Sequence, residues 1–214
     1  MKHIVLALAV LITFSCKGQE KEVIEKIKIS SDEVGAAVTF LASDDIQGRD
    51  TGSEGIAEAA TYIEKQLQSF GVKPYYETYR DHFKARDLDA YNVVGFLEGT
   101  DSELKNEVVL IGAHYDHIGL RARPVENDSI GNGANDNATG TATVLAMAKY
   151  FAASKSNKRT IVFALFSAEE MGLLGSKHLA ERMKNDNVNL YTMVNFEMMG
   201  VPFPDRDYQV FATG

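Results

Sequence analysis

The sequence predicts an α/β layered fold with a mostly parallel sheet, on three observations. From about residue 91, strand-like stretches alternate with helix-like ones. The apolar runs at 107–112 and 160–166 are nearly continuous, as in strands covered on both faces. With 45% hydrophobic and 24% charged residues, a chain of 214 residues has enough apolar side chains for a real core in one domain. The net charge of −8 gives no reason to expect a nucleic-acid partner.

In chain order, residues 1–16, "MKHIVLALAVLITFSC", combine a basic start at Lys2 with a short apolar run, the shape of a signal peptide. Cys16, the sole cysteine, resembles the lipidated residue of a bacterial lipobox, although Phe14 is not the usual small residue. This predicts an exported chain, anchored through Cys16 at the periplasmic or cell surface, or else secreted. That lipid would be its only membrane contact. With no second cysteine there is no disulfide, so the fold must rest on packing or metal. Residues 17–29 read as a charged tether and 30–214 as the folded domain. "SSDE" from Ser30 reads as a capping box opening a helix to about Ala42. A polar loop, "SDDIQGRDTGSEG", precedes an amphipathic helix with Ile56, Ala59, Tyr62, Ile63, Leu67 and Phe70 on one face, ending at Gly71. "YNVVGFLEG" and "EVVLIGAHYD" read as strands, and residues 117–134 as a loop. A helix is expected from Asn137 to about Ala153, a strand at "RTIVFALF" and a helix over "MGLLGSKHLAERMK". "LYTMVNFEMM" and "YQVFA" read as further strands.

Four polar clusters punctuate this pattern: "GAHYD", "GANDNATG", "SAEE" and "NFEMMG". Three follow predicted strands and the other enters a helix, so all fall where α/β sheets place their ligand crevice. A His, an Asp and several Glu at one edge repel one another and are costly to desolvate unless a cation neutralises them. Imidazole and carboxylate suit zinc, and also manganese or cobalt. So many acids suit two ions, with one carboxylate bridging them. His114 is the candidate nitrogen ligand. Asp116, two residues on in an extended segment, can accept its other ring N–H. Asp136 could be a plain helix cap, but capping would not demand Gly131, Gly133 and Gly140 around it. Glu169 and Glu170 could be ordinary first-turn helix acids. Glu197 lies in an otherwise apolar segment, where solvation is awkward.

Together, "GAHYDHIG", "GANDNATG", "FSAEEMGLLGS" and "NFEMMG" resemble the M28 family of zinc aminopeptidases, and "LASDDIQGRDTGSEG" resembles a stretch near the start of its bacterial members. The likeness covers roughly residues 36 to 214. It implies the zinc-exopeptidase three-layer α/β/α sandwich, two Zn²⁺ ions and peptide substrates with a free N-terminus. By that resemblance His114 binds one ion and Glu170 the other, Asp136 bridges them, with a cis peptide after it, and Glu197 occupies the position of a metal-binding carboxylate. Asp116 orients His114. Glu169 is the general base, taking a proton from water and passing it to the leaving amine. Two departures stand out. Glu197 occupies a position where the family usually has Asp. The family's last ligand is a C-terminal His, and no His here fits it: His117 belongs to the loop beside His114, His178 reads as a surface helix residue, and His82 and His3 are out of context. The chain therefore reads as a fragment ending near a strand. Alternatives are a glutaminyl-cyclase-like enzyme with one zinc, or an anchored binding protein that has lost catalysis. No HExxH, GxSxG or Walker loop is present.

Overall fold

The computed structural model describes residues 27–202, 204 and 212. The signal segment, Cys16, most of the tether and the strand expected at "YQVFA" lie outside these residues. Among the described residues there are four α-helices: α1 (Ser31–Leu41), α2 (Glu54–Phe70), α3 (Thr139–Ser154) and α4 (Leu174–Asn185). The strands are β1 (Lys73–Pro74), β2 (Arg80–Ala85), β3 (Leu88–Leu97), β4 (Val108–His114), β5 (Leu120–Val125), β6 (Asp128–Ile130), β7 (Thr160–Phe166) and β8 (Leu190–Asn195).

Six strands form one sheet in the order β1-β3-β7-β4-β8, with β2 also pairing β3. β7, β4 and β8 run parallel, whereas β1, β2 and β7 each meet β3 antiparallel. The sheet is thus mixed, and its parallel share is confined to the half that carries the polar clusters. The antiparallel half arises because β2 and β3 form a hairpin; neither β1 nor β2 is among the strands expected from the sequence.

Side chains of β7 alternate between two cores, which is why its whole run is apolar. Ile161, Phe163 and Leu165 pack with Leu41 of α1, with Ile56, Ala59, Ile63 and Leu67 of α2, and with Val144, Leu145 and Ala148 of α3. Val162, Ala164 and Phe166 pack with Leu179 and Met183 of α4. Helices therefore cover both faces, giving three layers. All seven residues of β7 are buried.

The local signals act as read. The Glu33 N–H donates to Ser30 Oγ at 3.1 Å, and the reciprocal bond completes the capping box. Ser53 caps α2, and Gly71, at φ 80°, ends it in the left-handed conformation. Three boundaries differ from the sequence reading. Residues 117–134 contain a two-stranded ribbon, β5 and β6, which is largely exposed and packs into none of the buried cores. Helix α3 begins at Thr139, after an irregular turn over Ala134–Ala138. Helix α4 begins at Leu174, because the preceding residues form a turn in which the Gly172 and Leu173 N–H groups donate to the Glu169 carbonyl.

Candidate metal centre

The parallel half of the sheet delivers three chain segments to one edge. β4 ends at His114, β7 ends just before Ser167, and β8 ends just before Phe196 and Glu197. Three polar side chains with no measurable exposure, Asp116, Asn137 and Arg49, tie the segments beyond these strand ends together.

Asp116 ties the β4 end to the β7 end. Its Oδ1 accepts the Glu169 N–H at 3.1 Å and its Oδ2 the Glu170 N–H at 3.2 Å. Ala168, at φ 55°, makes the turn that presents both amides. Because the carboxylate faces those amides, its nearer oxygen stays 3.6 Å from His114 Nδ1. The ring nitrogen instead approaches the Asp116 main-chain oxygen, at 3.2 Å. Asp116 thus touches His114 mainly through its backbone, while its carboxylate sets the two adjacent glutamates.

Asn137 ties the start of α3 to the β8 end. Its side-chain N–H donates to the Phe196 carbonyl at 2.9 Å, and its oxygen accepts from the N–H groups of Gly140 at 3.0 Å and Met198 at 3.2 Å. The two bonds to Phe196 and Met198 bracket Glu197. The Asp136–Asn137 peptide is cis.

Arg49, from the loop before α2, holds the rest. It donates to the Tyr115 carbonyl at 2.8 Å, to Asn132 at 2.8 Å, to Gly133 at 3.0 Å and to the Leu41 carbonyl. Its own carbonyl accepts the His117 N–H at 3.2 Å. A buried guanidinium is tolerated because carbonyl oxygens take its protons. Burial pulls Arg49 down to about 10, against the opposing pull of Asp116 and Asp136. Gly133 is required here: at φ 60°, a Cβ would lie 2.6 Å from Arg49 Nη2 and 2.5 Å from the Asp136 carbonyl oxygen.

These clamps assemble two clusters that share Asp136. In one, His114 Nε2 lies 3.1 Å from Asp136 Oδ1 and 3.1 Å from Glu197 Oε1. In the other, His117, Asp136 and Glu170 converge, with His117 Nδ1 2.8 Å from Glu170 Oε1. Within each cluster the ligating atoms all lie within 4.8 Å of one another. Atoms bound tetrahedrally at about 2.0–2.2 Å from zinc stand about 3.3–3.6 Å apart, so the donor set of the first cluster suits zinc and the two 3.1 Å separations of His114 from Asp136 and Glu197 are close to those that it needs. The electrostatics agree. Burial disfavours a charged His114, but Asp116 and Glu197 outweigh it and raise the imidazole to about 10. The acids around His114 thus demand a positive charge at its ring.

Glu169 enters neither cluster. Burial, chiefly, pushes its carboxyl up; His114 opposes this, and Asp116, Glu170 and Glu197 add to it. His114, Asp136, Glu197 and Glu170 are thus brought together, with Asp116 and Glu169 beside them. His117 lies in the loop after β4, as the sequence indicated, where the Arg49 carbonyl accepts its N–H and its Nδ1 stands 2.8 Å from Glu170 Oε1. One expectation about histidines is corrected. His178 is not a plain surface residue: it lies 3.2 Å from the buried Asp81 and stacks on Phe83. The roles of Arg49 and Asn137 escaped the sequence reading. Their signals were an arginine within the Gly-bearing loop "QGRD" and a second amide beside Asp136 in "NDN".

Residues 92–214 match Peptidase family M28. The chain belongs to that family. A probable zinc metalloprotease of Pyrenophora teres f. teres is 43% identical over 108 residues, covering 50% of this chain and 22% of the relative. The crystal structure of the Legionella pneumophila LapA aminopeptidase superposes with a TM-score of 0.65 at 22% identity, over 87% of this chain and 47% of that one. The Fimbriiglobus ruber glutaminyl cyclase superposes with a TM-score of 0.61 at 21% identity, over 78% of this chain and 60% of that one. The chain thus spans less than half the length of the first two proteins. At these identities the solved structures establish a shared fold, an α/β architecture with a mixed sheet of the zinc-exopeptidase type.

Proposed function

We propose that this protein is a metal-dependent aminopeptidase, removing N-terminal residues from peptides with two divalent cations, zinc in the first instance. The observation that carries the reading is the pair of His–carboxylate clusters hinged on Asp136. His114 and Glu197 would hold one ion, Glu170 the other, and Asp136 both. When bound, such ions supply Lewis acidity to a peptide carbonyl and to the attacking water.

The chain's own contribution is to position and move protons. Asp116 fixes the Glu169 and Glu170 backbones, so that Glu170 faces Asp136 while Glu169 remains unligated. Glu169 then takes a proton from water and returns it to the leaving amine. Its upward shift suits a group that must hold a proton between those two events. Export and anchoring through a lipidated Cys16 complete the proposal.

The test uses the full chain. Wild type should bind zinc and release the aminoacyl group from an aminoacyl anilide. Glu169→Gln should keep its metal and lose turnover by at least about 100-fold, the lower range for general acid–base catalysis. Retained activity in that variant would rule out Glu169 as the base. Loss of ammonia from an N-terminal glutamine, without hydrolysis of the anilide, would favour the glutaminyl-cyclase chemistry that shares this fold.

A further inference from the structure

The turn between β7 and α4 carries both Glu169 and Glu170, and the Asp116 carboxylate holds only its crest. The neck of the turn is closed by Asn92 of β3, which has no measurable exposure and no role in the function above. The Asn92 side-chain oxygen accepts the Ser167 N–H at 3.2 Å, where the turn leaves β7. Its side-chain N–H groups donate to the Gly175 carbonyl at 3.0 Å, where the turn enters α4, and to Asp81 Oδ2 at 3.1 Å. The two sides of the neck also bond to each other. The Gly175 N–H donates to the Ser167 carbonyl at 3.1 Å and the Leu174 N–H to the Ala168 carbonyl at 3.0 Å. They stand so close that a Cβ at Gly175 would lie 2.2 Å from the Ser167 carbonyl oxygen and 2.4 Å from Asn92 Oδ1.

The Asn92 carboxamide can face only one way. The Gly175 carbonyl and the Asp81 carboxylate accept and do not donate, so both take N–H groups and the oxygen is left for Ser167. Asp81, directly opposite Asn92 across the β2–β3 hairpin and itself buried, is fixed in turn by Arg182 at 2.5 Å and His178 at 3.2 Å, both on α4. One buried amide thus joins the hairpin, the end of β7 and the start of α4, two residues before Glu169.

We propose that Asn92 is a positioning residue for Glu169, aiming that carboxylate by clasping the neck of its turn. This rests on the aminopeptidase reading above. Asn92 itself touches neither Glu169 nor any member of the two clusters. Glu170 has ligation as well as its backbone to hold it in the metal-loaded protein, whereas Glu169 is placed by its backbone alone. Loosening the neck therefore falls on Glu169, and so on turnover rather than on zinc content.

The experiment compares zinc content, steady-state kinetics on an aminoacyl anilide and amide hydrogen exchange in variants of the full chain. Asn92→Ala should keep the zinc content and KM of wild type and lose about 100-fold in kcat, the cost of misplacing a catalytic group by about 1 Å. In the metal-free chain, exchange should quicken over 167–175 while β4 and β7 keep their protection. Gly175→Ala, which forces the same neck apart from the other side, should give the same split between kcat and KM. Asn92→Asp sets an acceptor against Asp81 and Gly175 and should also lose turnover. Adding Asp81→Asn to it restores a donor between positions 81 and 92 and should recover part of kcat, a test that stands even if the alanine variant fails to fold. Unchanged kcat per bound zinc, with exchange quickened evenly through the sheet, would mark a purely structural role and overturn the proposal, as would a double variant no faster than Asn92→Asp alone. A wild type that binds zinc but turns over no anilide would overturn the aminopeptidase reading, and the exchange pattern would still decide whether Asn92 clasps the turn.

Discussion

β4 and β8 are parallel neighbours that each end at a member of the same cluster, yet they could hardly differ more in setting. Six of the seven residues of β4 are buried, whereas all six of β8 are exposed among the described residues. The site members follow suit: the His114 side chain is 3% exposed and that of Glu197 44%. The two members are held differently. His114 is fixed by the packing of its strand, whereas Glu197 is held by the pairing of β8 with β4, by the Phe196 N–H donated to the Gly112 carbonyl at 2.8 Å, and by the Asn137 carboxamide from the turn before α3. The cluster thus joins a packed strand end to a segment held by backbone pairing and one buried amide.

The comparison can be broken most severely at Arg49. Arg49→Leu takes the guanidinium donor from the buried carbonyls of Leu41 and Tyr115 and the partly buried ones of Asn132 and Gly133, the last of which keeps the Ala138 N–H, at about 1–3 kcal/mol for each carbonyl left unpaired before relaxation. Urea denaturation should show a loss of several kcal/mol, the largest effect expected here. Asp116→Ala removes the acceptor of two amides and should cost about 2–4 kcal/mol. It should also weaken the Glu170 ion site in a calorimetric titration, since the carboxylate sets the Glu170 backbone, and the His114 site less, because His114 approaches the Asp116 main-chain oxygen, which the variant keeps. Asn137→Ala sharpens the contrast. It should cost about 1–3 kcal/mol and weaken zinc binding at the His114–Glu197 site more than at the Glu170 site. Glu197→Gln tests the exposed partner directly: stability should move by under about 0.5 kcal/mol, as for a surface change, while affinity for one ion falls. Smallest in consequence, because both ion sites stay intact, is Arg159→Ala. It removes the guanidinium stacked 4.0 Å over Tyr191 of β8, a loss of about 0.5–1 kcal/mol by urea denaturation with zinc binding unchanged.

Much of this arrangement could be read from residue order. The buried strands announced themselves because a sheet covered on both faces needs an unbroken apolar run, and β4 and β7 have one. The strand ends carried the acids, so an α/β reading already placed His114, Asp136, Glu169, Glu170 and Glu197 along one rim. β2 was not legible, because Arg80, Asp81, His82 and Lys84 mix charge into it, and its burial comes from partners such as Arg182 and His178 on α4. The ribbon of β5 and β6 was hidden for the opposite reason: exposed strands need no pattern. The clamps were the least legible. Nothing near Arg49 in sequence says that its protons go to carbonyls at residues 115, 132 and 133, because that contact exists only once α2 has docked. The contact of His117 was hidden on the same ground: its neighbours in sequence rightly place it in a loop, but its approach to Glu170 exists only in the folded chain.

Arg49 also bears on how the molecule can be divided. The span shared with Peptidase family M28 opens at Asn92, inside β3, yet the guanidinium that props the Asn132–Gly133 segment sits more than forty positions earlier in the chain. A truncated version trimmed to the shared span would keep every proposed zinc-binding residue and forfeit the strut beneath them. Mixing such a piece with a separate peptide carrying residues 30–71 should recover zinc uptake, in the manner of split-protein complementation, and an Arg49→Leu version of that peptide should fail to do so.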